Sequence, residues 1–118
     1  MSFPPKIARV GKKTMTFKQW EIWDARVKFE EINEVKKRPV LIIGVESGVA
    51  VALKMTGQAP RGGDEYPVKE WEKSGLKKPT TIRTSKVLRL SSGDFVRKRG
   101  SLTLKDRVAF MPILKKYT

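Results

Sequence analysis

Residues 34–57, EVKKRPVLIIGVESGVAVALKMTG, contain two apolar runs joined by a short polar turn. The first run, residues 39–43, is continuous and rich in Val, Leu and Ile, which is typical of a strand buried on both faces. Pro39 is compatible with this strand because it opens it. The second run, residues 49–56, alternates between large aliphatic residues and small or polar ones. With Glu46-Ser47-Gly48 as the turn, the whole segment predicts an antiparallel β-hairpin.

Further strands are predicted on both sides of the hairpin. Residues 20–29 alternate with period two, which indicates a half-buried strand. Residues 80–90 begin with β-branched residues and predict another strand, and residues 94–100 predict a short strand or a turn. The segments 30–37 and 57–65 are predicted to be loops, the second because it is rich in glycine.

Two helices are predicted in the second half of the chain. Residues 67–75, PVKEWEKSG, predict a short helix with the proline near its first turn and the glycine just after its last. Thr103 and Asp106 resemble a capping box at the start of a C-terminal helix. Apolar residues then recur at helical spacing, namely Leu104, Val108 and Met111. Pro112 is expected to kink or end this helix.

These elements predict one small, mainly β, barrel-like domain over residues 19–118, with short helices and a C-terminal helix. Residues 1–18 hold two prolines, a glycine and five cations, and predict a basic, poorly ordered leader. No apolar stretch approaches the ~20 residues of a membrane span, and no secretory signal is recognisable. The expectation is therefore a soluble, cytoplasmic protein without membrane association.

Charge and composition narrow the function. The net charge is +14, and residues 76–118 alone hold twelve cations against two acids. Such an uneven surplus favours a polyanionic partner, nucleic acid before a membrane surface. The chain has no cysteine and no histidine, so it lacks the usual transition-metal ligands, thiol nucleophiles and neutral-pH acid/base residue. We expect no metal and no cofactor.

One polar set emerges when the predicted strands are projected onto a sheet. The start of one hairpin strand lies beside the end of the other, so Arg38 and Thr56 are expected to be near neighbours. Lys54 shares the face of Thr56, and Arg83 and Ser85 lie on the outward face of a later strand. Charged strand ends also prevent edge-to-edge pairing, so a purely structural role is the alternative for any single cation.

The segments KKRPVLIIG, KMT, SGLKKPTTIRTSKVLRL and KRGSLTLKDR resemble, in this order, the PemK/MazF family of toxins from type II toxin–antitoxin pairs. The similarity runs from about Trp20 to Leu114. The resemblance implies an SH3-like β-barrel that forms a homodimer, is opposed by an acidic antitoxin, and cleaves single-stranded RNA as an endoribonuclease. It also implies that Arg38 and Thr56 are catalytic, and that Arg83 contacts the scissile phosphate.

Two positions depart from the family pattern. Many members have Asp-Gln where this chain has Ser85-Lys86, which leaves the general base unidentified; Glu30 and Glu31, in the predicted loop before Lys36, are acidic candidates. Many also have glycine where Trp20 stands here. The predicted RNA-binding residues combine the basic and polar side chains near the hairpin mouth with this tryptophan: Lys36, Lys37, Lys54, Arg61, Ser85, Lys86 and Trp20.

Two other functions fit parts of the pattern. A non-catalytic SH3-like module could use the same basic face to bind nucleic acid, and only the pairing of Arg38 with Thr56 argues against it. A toxin of the same fold that targets gyrase is the other, although nothing in the C-terminal PILKKYT favours it.

Overall fold

The computed structural model describes residues 16–29 and 33–117, so residues 1–15 of the predicted leader lie outside the described part. The elements are β1 (Glu21–Phe29), β2 (Glu34–Glu46), β3 (Val49–Thr56), β4 (Glu65–Pro67), β5 (Thr81–Leu90), β6 (Phe95–Ser101), helix α1 (Leu104–Leu114), and the 3-10 turns Ser92–Asp94 and Lys115–Tyr117. The six strands form one antiparallel sheet in the order β4-β5-β3-β2-β1-β6. The mainly β prediction is confirmed, with a barrel-like sheet that does not fully close.

The predicted hairpin is present as β2 and β3. Ser47 and Gly48 form its turn with φ of 50° and 79°, the left-handed geometry that tight hairpins favour. Strand β2 begins at Glu34, so the prediction of a loop over residues 30–37 is wrong from that residue onward. The reason is that β1 pairs with β2 over this region, and it carries the strand past Pro39, which lies opposite Asp24 rather than opening the strand.

The sheet buries apolar residues on both of its faces. One face packs against the helix and the segment after β4, in a cluster that includes Leu41, Leu53, Met55 and Ile82 of the sheet and Phe110 of the helix. The other face contributes a second cluster that includes Trp23, Ala25, Val40, Ile42 and Ala52. The predicted alternation in β1 therefore begins only at Arg26, because the first half of the strand is buried on both faces.

The predicted helix over residues 67–75 is wrong: the chain forms hydrogen-bonded turns there. Pro67 closes strand β4 instead of opening a helix. The turn nevertheless ends as a helix would. Gly75 has φ of 90°, its N–H donates to Glu72 O, and the Leu76 N–H donates to Trp71 O. This is a Schellman motif, with glycine in the position that the sequence predicts.

Helix α1 is confirmed, with Thr103 as its N-cap. Its buried side chains are Asp106, Phe110 and Leu114, whereas Leu104 and Val108 are 73% and 66% exposed. Two of the three residues that signal the helix in the sequence therefore lie outside the core, whereas Met111 is partly buried and packs against it. The helix also continues through Pro112 to Leu114 before it tightens into a 3-10 turn. Across residues 16–29 and 33–117, no helix combines the length and apolarity needed to cross a membrane.

Candidate active site

Arg38 and Thr56 line the same cavity, which has a volume of about 780 Å³. The cavity lies where β2 and β3 stop pairing, since their ladder ends at Val40 and Lys54. Proline has no N–H to donate, which accounts for a break in the ladder at residue 39. Continuing the register by two residues places Arg38 opposite Thr56, so the expected neighbourhood of these two side chains is present.

Both side chains are half-buried and locally held. Nη1 of Arg38 donates to the carbonyl oxygen of Lys37 at 2.9 Å, which fixes one edge of the guanidinium against its own strand. Oγ1 of Thr56 accepts from the backbone N–H of Gln58 at 3.2 Å. Because that bond uses a lone pair, the hydroxyl proton of Thr56 can still be donated to a ligand.

Cations are the most frequent class of residue in the wall of the cavity. Besides Arg38 it contains Lys37 from β2, two lysines from the segment before β5, and two arginines from β6: Lys77, Lys78, Arg97 and Arg99. Lys78 packs so closely on Gly57, beside Thr56, that a Cβ there would lie 2.8 Å from its Cε. Of these cations, the sequence identified Arg38 and Lys37 as site residues. The other four belong to the basic C-terminal part, where the charge surplus was visible but the direction of each side chain was not.

Asp24 is the only acidic residue among the described residues that line this cavity. It is 4% exposed and forms ion pairs with Arg97 at 3.3 Å and with Arg99 at 3.2 Å. Asp24 is not among the site residues predicted from the sequence, because its position in an alternating strand predicts an outward-facing, solvated carboxylate.

Arg83 and Lys54 do not line the cavity. They lie opposite each other on the neighbouring strands β5 and β3. Nε of Arg83 donates to Glu65 Oε2 at 3.2 Å, and the two side chains are only 19% and 13% exposed. On a sheet, Thr56 and Arg83 are diagonal neighbours, a relation that usually separates residues by about 7–8 Å. A role of Arg83 at the phosphate stays a prediction.

The other predicted RNA-binding residues lie around or away from the cavity. Lys36 is 3.8 Å from Glu34, and the backbone N–H of Arg61 donates to Glu65 at 2.9 Å. Ser85 and Lys86 are exposed on β5. Trp20 is buried in the helix-side cluster, at 9% exposure, so its ring face is not available to a base at the cavity.

The acidic candidates for proton transfer, Glu30 and Glu31, lie outside the described residues. In residues 16–29 and 33–117, no three acidic side chains are grouped as metal ligands would be.

Asp106 holds the segment that supplies the lysine side of the cavity. This fully buried carboxylate accepts from Tyr66 Oη at 2.6 Å, from the Lys69 N–H at 3.0 Å and from the Glu70 N–H at 2.8 Å. Burial and the hydrogen bond to this carboxylate raise the pKa of Tyr66 well above its ordinary value. The Thr103 hydroxyl, which donates to Glu70 Oε1 at 2.7 Å, lowers the pKa of Glu70. The C-terminal helix is thereby tied to the turn that precedes Lys77.

Comparison with known proteins identifies the fold. No protein-family model and no curated protein matches the chain. Among solved structures, the chain is similar to the Mycobacterium tuberculosis toxin MazF-mt6, with 21% identity and a TM-score of 0.65 over 81% of this chain and 93% of that one. It is similar to a mycobacterial endoribonuclease solved with its cognate antitoxin, with 10% identity and a TM-score of 0.69 over 86% and 93%. An M. tuberculosis toxin matches at 23% identity and a TM-score of 0.59 over 69% and 92%. The chain has the MazF fold.

Proposed function

We propose that this protein is an endoribonuclease of the MazF type, the toxin of a toxin–antitoxin pair, that cleaves single-stranded RNA. The observation that carries the proposal is the convergence of Arg38 and Thr56 on one cation-rich cavity at the mouth of the β2–β3 hairpin. The similar solved structures support it, because their names describe a toxin and an endoribonuclease with its antitoxin. The net charge of +14 is suited to a polyanionic substrate.

The proposed reaction is attack of a ribose 2′-oxygen on the adjacent phosphorus. The P–O bond to the 5′-oxygen breaks, and the products are a 2′,3′-cyclic phosphate and a free 5′-hydroxyl. This displacement needs no external water and no metal, but negative charge grows on the non-bridging oxygens. The planar guanidinium of Arg38 can donate two parallel hydrogen bonds to those oxygens. The hydroxyl of Thr56 can donate to a non-bridging oxygen or to the leaving 5′-oxygen.

Proton transfer is the weakest part of this catalytic set. Arginine keeps its proton far above neutral pH and is a poor base. Asp24 lies in the cavity, but both of its oxygens accept hydrogen bonds from arginine side chains. A well-placed acid or base contributes about 10²–10⁴-fold. We therefore expect a slow nuclease, in which positioning and charge stabilisation supply most of the acceleration.

Substrate capture and partners follow from the same charge distribution. Lys36, Lys37, Lys54, Arg61 and Lys86 are proposed to contact phosphates, which gives affinity with little sequence information. Base choice is assigned to the loop 57–64, which follows Thr56 at the hairpin mouth and can reach unpaired bases. Residues 30–32 of the other predicted loop lie outside the described part of the chain. The proposed partner is an acidic antitoxin segment that covers the cavity and orders on binding. A homodimer is proposed from the resemblance to the toxin family.

The test is cleavage of single-stranded RNA by purified protein in the presence of EDTA. We expect cleavage with 2′,3′-cyclic phosphate ends, and a loss of at least 10²-fold in Arg38→Ala and in Thr56→Ala. Arg89→Ala is the matched control, because Arg89 forms an exposed ion pair with Glu46 and does not line the cavity. Tight binding without cleavage by the wild-type protein would contradict the nuclease and leave the nucleic-acid-binding module.

A further inference from the structure

Strand β6 presents two arginines to one buried carboxylate inside the cavity. Nε of Arg97 donates to Asp24 Oδ2 at 3.3 Å. Nη1 of Arg99 lies 3.2 Å from the same oxygen and 3.5 Å from Oδ1. Two guanidinium groups share one carboxylate, so the trio keeps a net positive charge.

Two irregularities in the β1–β6 register create this arrangement. Ile22 pairs with Gly100 and Trp23 with Lys98, so Arg99 is an extra residue in the ladder, and a second shift follows Asp24. Bulges of this kind turn a side chain toward a new direction and are common beside functional sites.

The backbone around Arg99 is fixed from a second side. Nε of Arg99 donates to the carbonyl oxygen of Gly75 at 3.2 Å. A Cβ on Gly75 would lie 2.1 Å from Arg99 O, and one on Gly100 would lie 2.3 Å from Ser74 O. Two glycines therefore allow the turn before β5 to lie directly against β6. This close contact holds Arg99 at a defined position in the cavity wall.

The two arginines differ in what they still offer to a ligand. The Arg97 side chain is 58% exposed, and among the described residues its terminal nitrogens have no protein acceptor. The Arg99 side chain is 14% exposed, and its Nη2 likewise lacks one. A structural ion pair at Asp24 would need only one cation. The arrangement instead leaves several N–H groups at the wall that faces the same cavity as Arg38 and Thr56.

We propose that Asp24 is a positioning residue that holds Arg97 and Arg99 as a second phosphate-binding subsite, which takes the RNA phosphate next to the one bound by Arg38. This inference rests on the proposed function. Its ligand is a backbone phosphate of single-stranded RNA, and it adds affinity and register rather than a chemical step. With adjacent phosphates held at two points, the attacking 2′-oxygen can be kept in line with the phosphorus.

The first experiment measures the salt dependence of binding with an oligoribonucleotide that is 2′-O-methylated throughout and cannot be cleaved by 2′-attack. For single strands, log K falls with log salt by about 0.7 for each phosphate that is neutralised. Arg97→Gln is expected to lower that slope by about 0.7 and to weaken binding about tenfold at low salt. The control Arg89→Gln removes the same charge outside the cavity and should leave the slope unchanged.

The second experiment locates the phosphate. A series of the same probes, each with one neutral methylphosphonate, should reveal two sensitive neighbouring linkages in the wild-type protein. In Arg97→Gln one of the two should lose its sensitivity while the other keeps it. An unchanged slope together with an unchanged profile in Arg97→Gln would overturn the subsite.

Asp24→Asn separates positioning from simple electrostatics. Removing a negative charge from the cavity should strengthen RNA binding if charge alone matters, whereas loss of positioning should weaken it about tenfold. Thermal unfolding verifies that this variant folds. If it does not, the largely exposed Arg97 still provides the test.

The outcomes for the two proposals are distinct. Cleavage by the wild-type protein with no effect of Arg97→Gln on slope or profile refutes the subsite and leaves the nuclease. Binding that depends on Arg97 without any cleavage refutes the nuclease and leaves a phosphate-binding groove.

Discussion

Asp106 provides the sharpest test of how the cavity is built. It is 0% exposed, and its carboxylate accepts three hydrogen bonds, from the Tyr66 hydroxyl and from the backbone N–H groups of Lys69 and Glu70. Asp106→Ala would leave all three without an acceptor. An unsatisfied buried donor costs about 1–3 kcal/mol. The two backbone groups are partly buried and are counted at about 1 kcal/mol each, and the buried hydroxyl at about 2 kcal/mol.

The expected loss in the free energy of unfolding is therefore about 4 kcal/mol for Asp106→Ala. Small proteins have only about 5–15 kcal/mol in total, so the variant should be close to its limit of stability. Asp106→Asn keeps one carbonyl oxygen that can accept from Tyr66 and Lys69. Only the Glu70 N–H then loses its acceptor, because it meets the amide NH2 group, which is itself a donor. Its loss should be about 1–2 kcal/mol.

Urea unfolding at neutral pH, followed by the fluorescence of the three tryptophans, measures these differences. The midpoint of Asp106→Ala should fall by about 2 M, given a denaturant slope of about 2 kcal/mol/M. Glu72→Ala is the matched control, since Glu72 is an exposed carboxylate in the same turn and should change stability by less than about 0.5 kcal/mol. A loss below about 1 kcal/mol in Asp106→Ala would refute the view that this carboxylate holds the turn to the helix.

Three further predictions concern the same framework. The pKa of Tyr66 is raised in the folded state, so the folded protein keeps the phenol proton at a pH where the unfolded chain releases it. Thermal stability should therefore fall as pH rises above about 10, and this fall should be shallower in Tyr66→Phe. The pKa of Glu70 is lowered in the folded state, so the stability it contributes should be lost as pH falls below about 4.5; a Glu70→Gln variant with an unchanged acid profile would contradict this. Gly75→Ala should destabilise the fold by more than about 2 kcal/mol, because φ there is 90° and the new Cβ meets a backbone carbonyl, whereas Gly62→Ala, with no atom within 4 Å, should be tolerated.

The parts of the fold and site that follow from local patterns were predictable from the sequence. Alternation in residues 49–56 gives the face of Thr56, and the short turn predicted at Glu46-Ser47-Gly48 fixes which strand ends meet. Together these place Arg38 beside Thr56, and the structure has both in one cavity. Strand β5 and the capped C-terminal helix were predictable for the same reason, since each is specified by its own residues.

The parts that depend on contacts distant in the chain were not predictable. The start of β2 is set by its pairing with β1, which overrides the polar composition before Pro39. The bulges that turn Arg99 into the cavity arise from the pairing of β6 with β1, which are far apart in the sequence. The outward direction of Leu104 and Val108 is decided by which helix face fits the sheet, a property that helical spacing alone does not determine.

The most direct test of the central claim is a double-variant cycle on RNA cleavage with Arg38→Lys and Thr56→Val. Arg38→Lys keeps the positive charge but loses the bidentate hydrogen bonding of the guanidinium, and Thr56→Val keeps the side-chain shape but loses the hydroxyl. If both side chains act on one phosphodiester, the double variant should cleave within about threefold of the slower single variant, because groups that act as a unit are strongly non-additive. Losses that multiply in the double variant, or single variants that cleave like the wild type, would contradict a shared phosphate between Arg38 and Thr56.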